Sequence, residues 1–147
     1  MYLEDIKQNN MMNKKISNFP IGEINTGYAQ YFDGKSYLAH LTSSDSQVVI
    51  DNVTFEPECR NHWHIHHGAQ QTLICVGGNG WYQEWGKPAV KMNPGDVIEI
   101  PLDTKHWHGA AKDSWFSHLS VMSTSNMKNS STEWLEEVVE SDYDKLK

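Results

Sequence analysis

Residues 61–71 read NHWHIHHGAQQ, and four of the eight histidines in this 147-residue chain fall within six positions of that run. In an extended segment successive side chains alternate between faces, so His62, His64 and His66 are expected to share one face while Trp63 and Ile65 take the other. Same-face neighbours stand about 6 to 7 Å apart along a strand, a spacing from which two imidazoles can converge on one ion at about 2.1 Å each. A second stretch, KHWHGA at 105–110, repeats the arrangement with His106 and His108 on one face and Trp107 on the other. Imidazole combined with an amide or carboxylate oxygen suits manganese, iron, nickel, cobalt or zinc, and the scarcity of sulfur donors argues against copper(I) or an iron–sulfur cluster. An isolated histidine is ordinarily a surface or packing residue, and His40 and His67 are read that way.

Outward from the histidines, the sequence between about 27 and 123 is a series of short β-prone runs cut by turn residues. QVVIDNVTFEP (47–57), QTLICV (71–76), WYQEW (81–85), AVKM (89–92) and VIEI (97–100) are separated by GGNG, GKP and NPGD, and HWHGA and WFSHLSVM follow. No amphipathic helical stretch interrupts them, which points to an antiparallel sandwich or barrel. The ends differ. Residues 1–20 are polar and weakly patterned and are expected to be a mobile arm or a segment packed on a partner subunit. Near the other end, Ser130 precedes Glu133 at capping-box spacing and Trp134, Leu135, Val138 and Val139 follow a helical period, which predicts one short helix after a polar linker. The expected division is an arm over 1–20, a barrel over 21–125, and linker and helix over 126–147.

Composition narrows the function classes. Nineteen acids against twelve basic residues give a formal charge of −7, with no basic patch, so a nucleic-acid partner gains no electrostatic help. No apolar run approaches the roughly 18 residues that span a bilayer and the N-terminus has no apolar signal core, so a cytoplasmic protein without membrane contact is expected. Cys59 and Cys75 form no CxxC pair, which leaves little basis for a disulfide framework. The sequons at Asn52 and Asn129 are then chance.

The two histidine stretches carry a family resemblance. ECRNHWHIHHGAQQTLICVGG resembles the first cupin motif, G(X)5HXH(X)3-4E(X)6G, and GDVIEIPLDTKHWHGAA resembles the second, G(X)5PXG(X)2H(X)3N. His64 and His66 supply the HXH pair, Gln71 stands at the acid position with Gly78 seven residues on, and Gly95, Pro101 and His106 keep the second spacing. The wider texture is similar to small cupins related to manganese-dependent hydroxynitrile lyases and to those found beside carboxymuconolactone decarboxylase-like domains. The resemblance implies an all-β jelly-roll barrel (a double-stranded β-helix) with a short C-terminal helix, forming a homodimer. It also implies a six-coordinate divalent ion, manganese first, held by His64, His66, Gln71 and His106. Glu58 replaces the first motif's opening glycine, Asp103 the glycine of PXG, and Ala110 the closing asparagine. Gln70 fits the shorter spacing with Gly77, but Gln71 begins the apolar strand and is preferred.

A neutral amide in place of glutamate leaves the ion's charge uncompensated, and two open coordination positions suit catalysis. The expected chemistry is lyase-type cleavage or formation of a carbon–carbon bond in a small hydroxylated or carbonyl compound, with His118 as proton-moving base and His108 as a second base or orienting group. His62 is placed at the rim, and Trp63, Trp81, Trp85, Trp107 and Trp115 on outer-face or inter-subunit contacts. An iron(II) dioxygenase, a non-catalytic metal-dependent metabolite binder and a purely structural ion remain alternatives.

Overall fold

The computed structural model describes residues 15–123 and 129–147. Two antiparallel sheets face each other. The first runs β1 (Glu23–Ile24), β3 (Ser36–His40), β4 (Val48–Phe55), β12 (Phe116–Ser123), β7 (Gln71–Gly78) and β10 (Val97–Glu99), in that spatial order. The second runs β13 (Ser131–Trp134), β6 (His64–His67), β11 (His106–Ala110), β5 (Arg60–Asn61) and β2 (Phe32–Asp33). To its β11, strand β8 (Gly80–Glu84) adds itself and β9 (Val90–Met92). This is the antiparallel two-sheet barrel expected from the strand-and-turn pattern, in the jelly-roll form that the cupin resemblance implies. Alternation along β7 explains its placement: Gln71, Leu73 and Cys75 are buried toward the lumen while Thr72 and Ile74 are half-buried outside, and past the register shift against β12 Gly77 pairs with Ser117 and is buried under Ile16 on the outer face. Val53, Phe55, Leu73, Tyr82, Met92 and Phe116 pack together between the sheets.

β11 is buried on both faces over its whole length. Its inward residues are His106, His108 and Ala110. Its outward Trp107 packs with Trp63 and Trp81 beneath Val138 and Tyr143 of the chain's own C-terminal segment. The tryptophans expected at outer or inter-subunit contacts therefore divide three ways. Trp63, Trp81 and Trp107 are covered from within, Trp115 is half-buried against Tyr37 at 6.1 Å, and Trp85 is exposed.

The predicted helix starting near Ser130 is a correction. Ser131–Trp134 is a strand paired with His67–His64, and the single α-helix of the described residues, α1, is Glu140–Asp144. The open edge of β6 takes up the backbone hydrogen bonds that a helix would have satisfied internally, and Trp134 stacks on Tyr31 at 4.5 Å and lies 4.6 Å from the His64 ring. Tertiary burial of that indole outweighs a capping box whose contribution is only about 1 kcal/mol. Leu135 and Val138 still turn inward, but as an extended cover strip. α1 is held by Tyr143, whose hydroxyl donates to the Ala110 carbonyl at 2.7 Å and whose ring carries the Arg60 guanidinium at 4.1 Å.

Of the N-terminal arm, residues 1–14 lie outside the described residues. The remainder packs on the chain's own first sheet: a Cβ on Gly77 would stand 2.3 Å from the Ile16 carbonyl oxygen, and the Asn52 amide donates to the Pro20 carbonyl. Asn52 is fully buried, so its sequon is inaccessible in the folded chain. No described helix is long and apolar enough to cross a membrane.

Two of the departures from the cupin motifs have a backbone meaning. Glu58 and Asp103 stand where the motifs have glycine, and among the described residues they are the two non-glycine positions at positive φ, 73° and 55°. The left-handed turn is kept and the side chain is carried at a cost of roughly 1 kcal/mol. Glu58→Gly is expected to raise stability by about 1 kcal/mol at most, measured as the urea midpoint, whereas Glu58→Ala, which keeps a Cβ, gains nothing.

Candidate metal centre

The centre is built where β6 and β11 begin. His64 and His106 are the first residues of those strands and are direct antiparallel partners, with ring centroids 4.2 Å apart. Each ring is fixed by the same local bond. His64 Nδ1–H donates to the carbonyl of His62 at 2.7 Å, and His106 Nδ1–H donates to the carbonyl of Thr104 at 2.9 Å. A carbonyl can only accept, so in both rings the proton sits on Nδ1 and the Nε2 lone pair is left facing the lumen. His66, two residues along β6, completes a trio whose ligating nitrogens all lie within 4.8 Å of one another.

Gln71, at the start of β7, reaches the same place from the opposite sheet. Its amide nitrogen donates to Ser120 Oγ at 2.8 Å, which turns the amide oxygen toward His66 Nε2 at 2.9 Å. His66 Nδ1 meets Thr132 Oγ1 at 3.1 Å. A hydroxyl serves as donor or acceptor, so His66 can exchange tautomers and free Nε2 for an ion without losing that partner. Of the two glutamines, Gln71 is buried on the histidine face, while Gln70 is exposed and its amide nitrogen contacts the Ile100 carbonyl at 3.3 Å.

The donor set fits a divalent transition ion. His106 Nε2 is buried without a hydrogen-bond partner, a costly state unless something accepts its lone pair. Burial pushes the His106 imidazole down to about 4, holds His64 well below the usual range, the neighbouring imidazoles adding to it, and lowers His66. The three rings are therefore neutral at pH 7 and ready to ligate, and among the described residues no carboxylate joins them.

Deeper in the lumen lies a second pair. His118 Nε2 is 3.0 Å from His108 Nδ1, and the His108 ring is 5.5 and 5.7 Å from those of His64 and His106. A register shift between Ser117 and His118 where β12 meets β7 sets the inward aim of His118, a typical use of a bulge beside a site. Phe55 and Phe116 flank it at 5.5 and 5.4 Å, and burial lowers His118 to about 4 and His108 well below its ordinary value.

The strand break at 62–63 alters one expectation. His62 does not share the face of His64; its ring turns toward Asp33 and Glu137 outside the lumen. Asn61 turns inward instead, with its amide 3.2 Å from His108 Nε2 and its side-chain oxygen accepting the His108 backbone N–H at 2.9 Å. Nothing in the spacing marks Asn61 or Trp134 as neighbours of the centre, because both depend on where strands break and pair. His40 is exposed and bonded to Asp51, and His67 is half-buried on the outside of β6 and bonded to Asp103 and Glu133.

Comparison with known proteins agrees with this geometry. Residues 52–122 match the Cupin_2 family, described as a cupin domain. The chain is 34% identical over 119 residues to an (R)-mandelonitrile lyase of Granulicella tundricola, covering 80% of this chain and 88% of that one. A cupin-like protein from Thermotoga maritima superimposes with a TM-score of 0.78 at 36% identity, covering 87% of this chain and 95% of that one. The DMSP lyase DddQ from Ruegeria pomeroyi shares the fold, with a TM-score of 0.59 at 15% identity over 80% of this chain and 56% of its own. With both histidine motifs, the barrel and these relatives in agreement, the chain belongs to the cupin family.

Proposed function

We propose that this cupin is a metal-dependent lyase that cleaves or forms a carbon–carbon bond in a small hydroxylated or carbonyl compound, with a cyanohydrin of the mandelonitrile type as the first substrate to test. The observation that carries the reading is the buried His108–His118 pair set beside the His64–His106 pair, since an ion with a purely structural role has no use for a second, unligated couple of bases. The 34% identity to a mandelonitrile lyase supports the choice of chemistry. Manganese is the proposed ion, ahead of iron, cobalt, nickel and zinc, held by His64, His66, His106 and Gln71. Such an ion supplies Lewis acidity that its wholly neutral donors leave undiminished.

The chain's own groups do the proton work. His118 Nε2 and His108 Nδ1 share one hydrogen across 3.0 Å, so the pair holds an unprotonated nitrogen in a largely apolar lumen. In cyanohydrin cleavage the pair takes the substrate's hydroxyl proton as the carbonyl forms. The electrons of the broken carbon–carbon bond leave with cyanide, which then takes that proton back as hydrogen cyanide. Asn61 fixes the His108 backbone and ring during this exchange. Burial pushes the Cys59 and Cys75 thiols up to about 12 and about 11, which keeps them protonated and poorly reactive, and two unpaired cysteines suit a reducing compartment such as the cytoplasm.

Two variants separate binding from proton transfer. His118→Ala is expected to lower kcat by roughly 10²- to 10⁴-fold while metal content per chain stays unchanged, whereas His106→Ala loses both. Benzaldehyde release from mandelonitrile, with metal analysis of the same samples, checks this. Turnover retained in His106→Ala would overturn the scheme.

Histidines held neutral by burial also set a pH dependence. In the unfolded chain imidazoles protonate near 6.5, while in the folded chain His106 and His118 do so only near about 4. Between those values the unfolded state binds more protons, so stability falls as pH drops from about 6.5 toward 4. Chelator-treated protein is expected to show a lower urea midpoint at pH 5 than at pH 7, and a flat or rising midpoint would contradict the buried neutral state.

A further inference from the structure

Outside the barrel, three side chains from three separate elements converge on one spot. Asp33 ends β2, His62 lies in the break between β5 and β6, and Glu137 belongs to the C-terminal strip between β13 and α1. The geometry points to a second divalent-cation site, of zinc type, formed by Asp33, His62 and Glu137, which clips the C-terminal strip onto the barrel.

His62 is the decisive member. It is 9% exposed, and its Nε2 is buried without a hydrogen-bond partner. That nitrogen stands 3.6 Å from Asp33 Oδ1 and 3.8 Å from Glu137 Oε1. Both separations are too long for a hydrogen bond, yet close to the roughly 3.4 Å between two ligands of a tetrahedral ion with bonds of about 2.1 Å. All three donor atoms lie within 4.8 Å of one another.

Among the described residues no lysine or arginine makes an ion pair with either carboxylate. Among the described residues neither the Asp33 nor the Glu137 carboxylate has another hydrogen bond or ion pair. Arg60 lies beside Asp33 and Glu137, but its guanidinium sits over the Tyr143 ring and its Nη1 donates to the Glu58 carbonyl at 3.0 Å. The neighbouring Glu136 is taken by Lys105 at 2.7 Å. One imidazole and two carboxylates with room for water form a donor set that zinc accepts readily.

An ion here would act as a fastener. It would join β2 to the strip that, through its own Val138 and through Tyr143 of the following α1, roofs Trp63, Trp81 and Trp107. It would also steady the His62 carbonyl, which accepts the Nδ1–H of His64, so the clip and the barrel centre are one bond apart.

Zinc and cobalt(II) titrations of the chelator-treated full chain, by equilibrium dialysis and visible absorption, test this site separately from the barrel centre. Asp33→Asn and Glu137→Gln are each expected to bind one equivalent less than the wild type, and to lose one tetrahedral cobalt(II) signature. They are also expected to lose the part of the zinc-induced rise in Tm that accompanies that equivalent. The difference between wild type and variants is the readout, so a barrel centre that takes no zinc would lower every stoichiometry by one and leave the difference intact. Equal stoichiometry and equal Tm response in the wild type and both variants would overturn the clip.

Discussion

The structure depends on a single local bond made twice. At the first residue of β6 and again at the first residue of β11, a histidine donates its Nδ1–H to the carbonyl two residues before it. Each bond fixes a ring and a tautomer, and antiparallel pairing of His64 with His106 sets the two freed nitrogens side by side. The result is a buried group of uncharged imidazoles that cannot take up protons without large desolvation and mutual repulsion. Such a group is unfavourable in isolation and favourable around a cation. The surrounding β-structure keeps it in place: β7 brings Gln71 across from the facing sheet, and Ser120 on β12 orients its amide.

The remainder of the molecule holds β11 rigid. That strand carries the centre on one face and Trp107 on the other, so its outer face must be covered for its inner face to be fixed. The cover is the chain's own C-terminal strip, tied to Trp63 by two backbone hydrogen bonds and to Ala110 through the Tyr143 hydroxyl. On the opposite sheet, residues 16–20 do the same for β4 and β7. Thus the terminal segments, which look least structured in composition, close the two outer faces of the barrel.

Much of this was legible in the sequence, for physical reasons. Short β-branched runs between Gly and Pro turns define strands, and i, i+2 histidines in such runs share a face, so an antiparallel sandwich or barrel and the pairs His64/His66 and His106/His108 follow from alternation, while the joining of His64, His66 and His106 in one centre follows from the resemblance to the cupin motifs. The glycine-to-Glu58 and glycine-to-Asp103 departures left turn geometry open, and both residues retain the left-handed backbone. What was not legible depended on contacts distant in sequence. The strip from Ser131 carries a helical period because the same residues that would line a helix instead pack extended on β6 and the tryptophans. His62 was assigned to the histidine face because no local signal marks the strand break that turns Asn61 inward. Trp134 beside His64 arises from a strand pairing that composition could not reveal.

The central claim is that the Nε2 atoms of His64, His66 and His106 and the amide oxygen of Gln71 meet at one ion. Crystals of manganese-loaded protein, measured at the manganese absorption edge, test it directly. The account predicts an anomalous peak about 2.0 to 2.3 Å from each of those four atoms. A peak away from them, coordination through Gln70, or three imidazoles with no scatterer between them would contradict it.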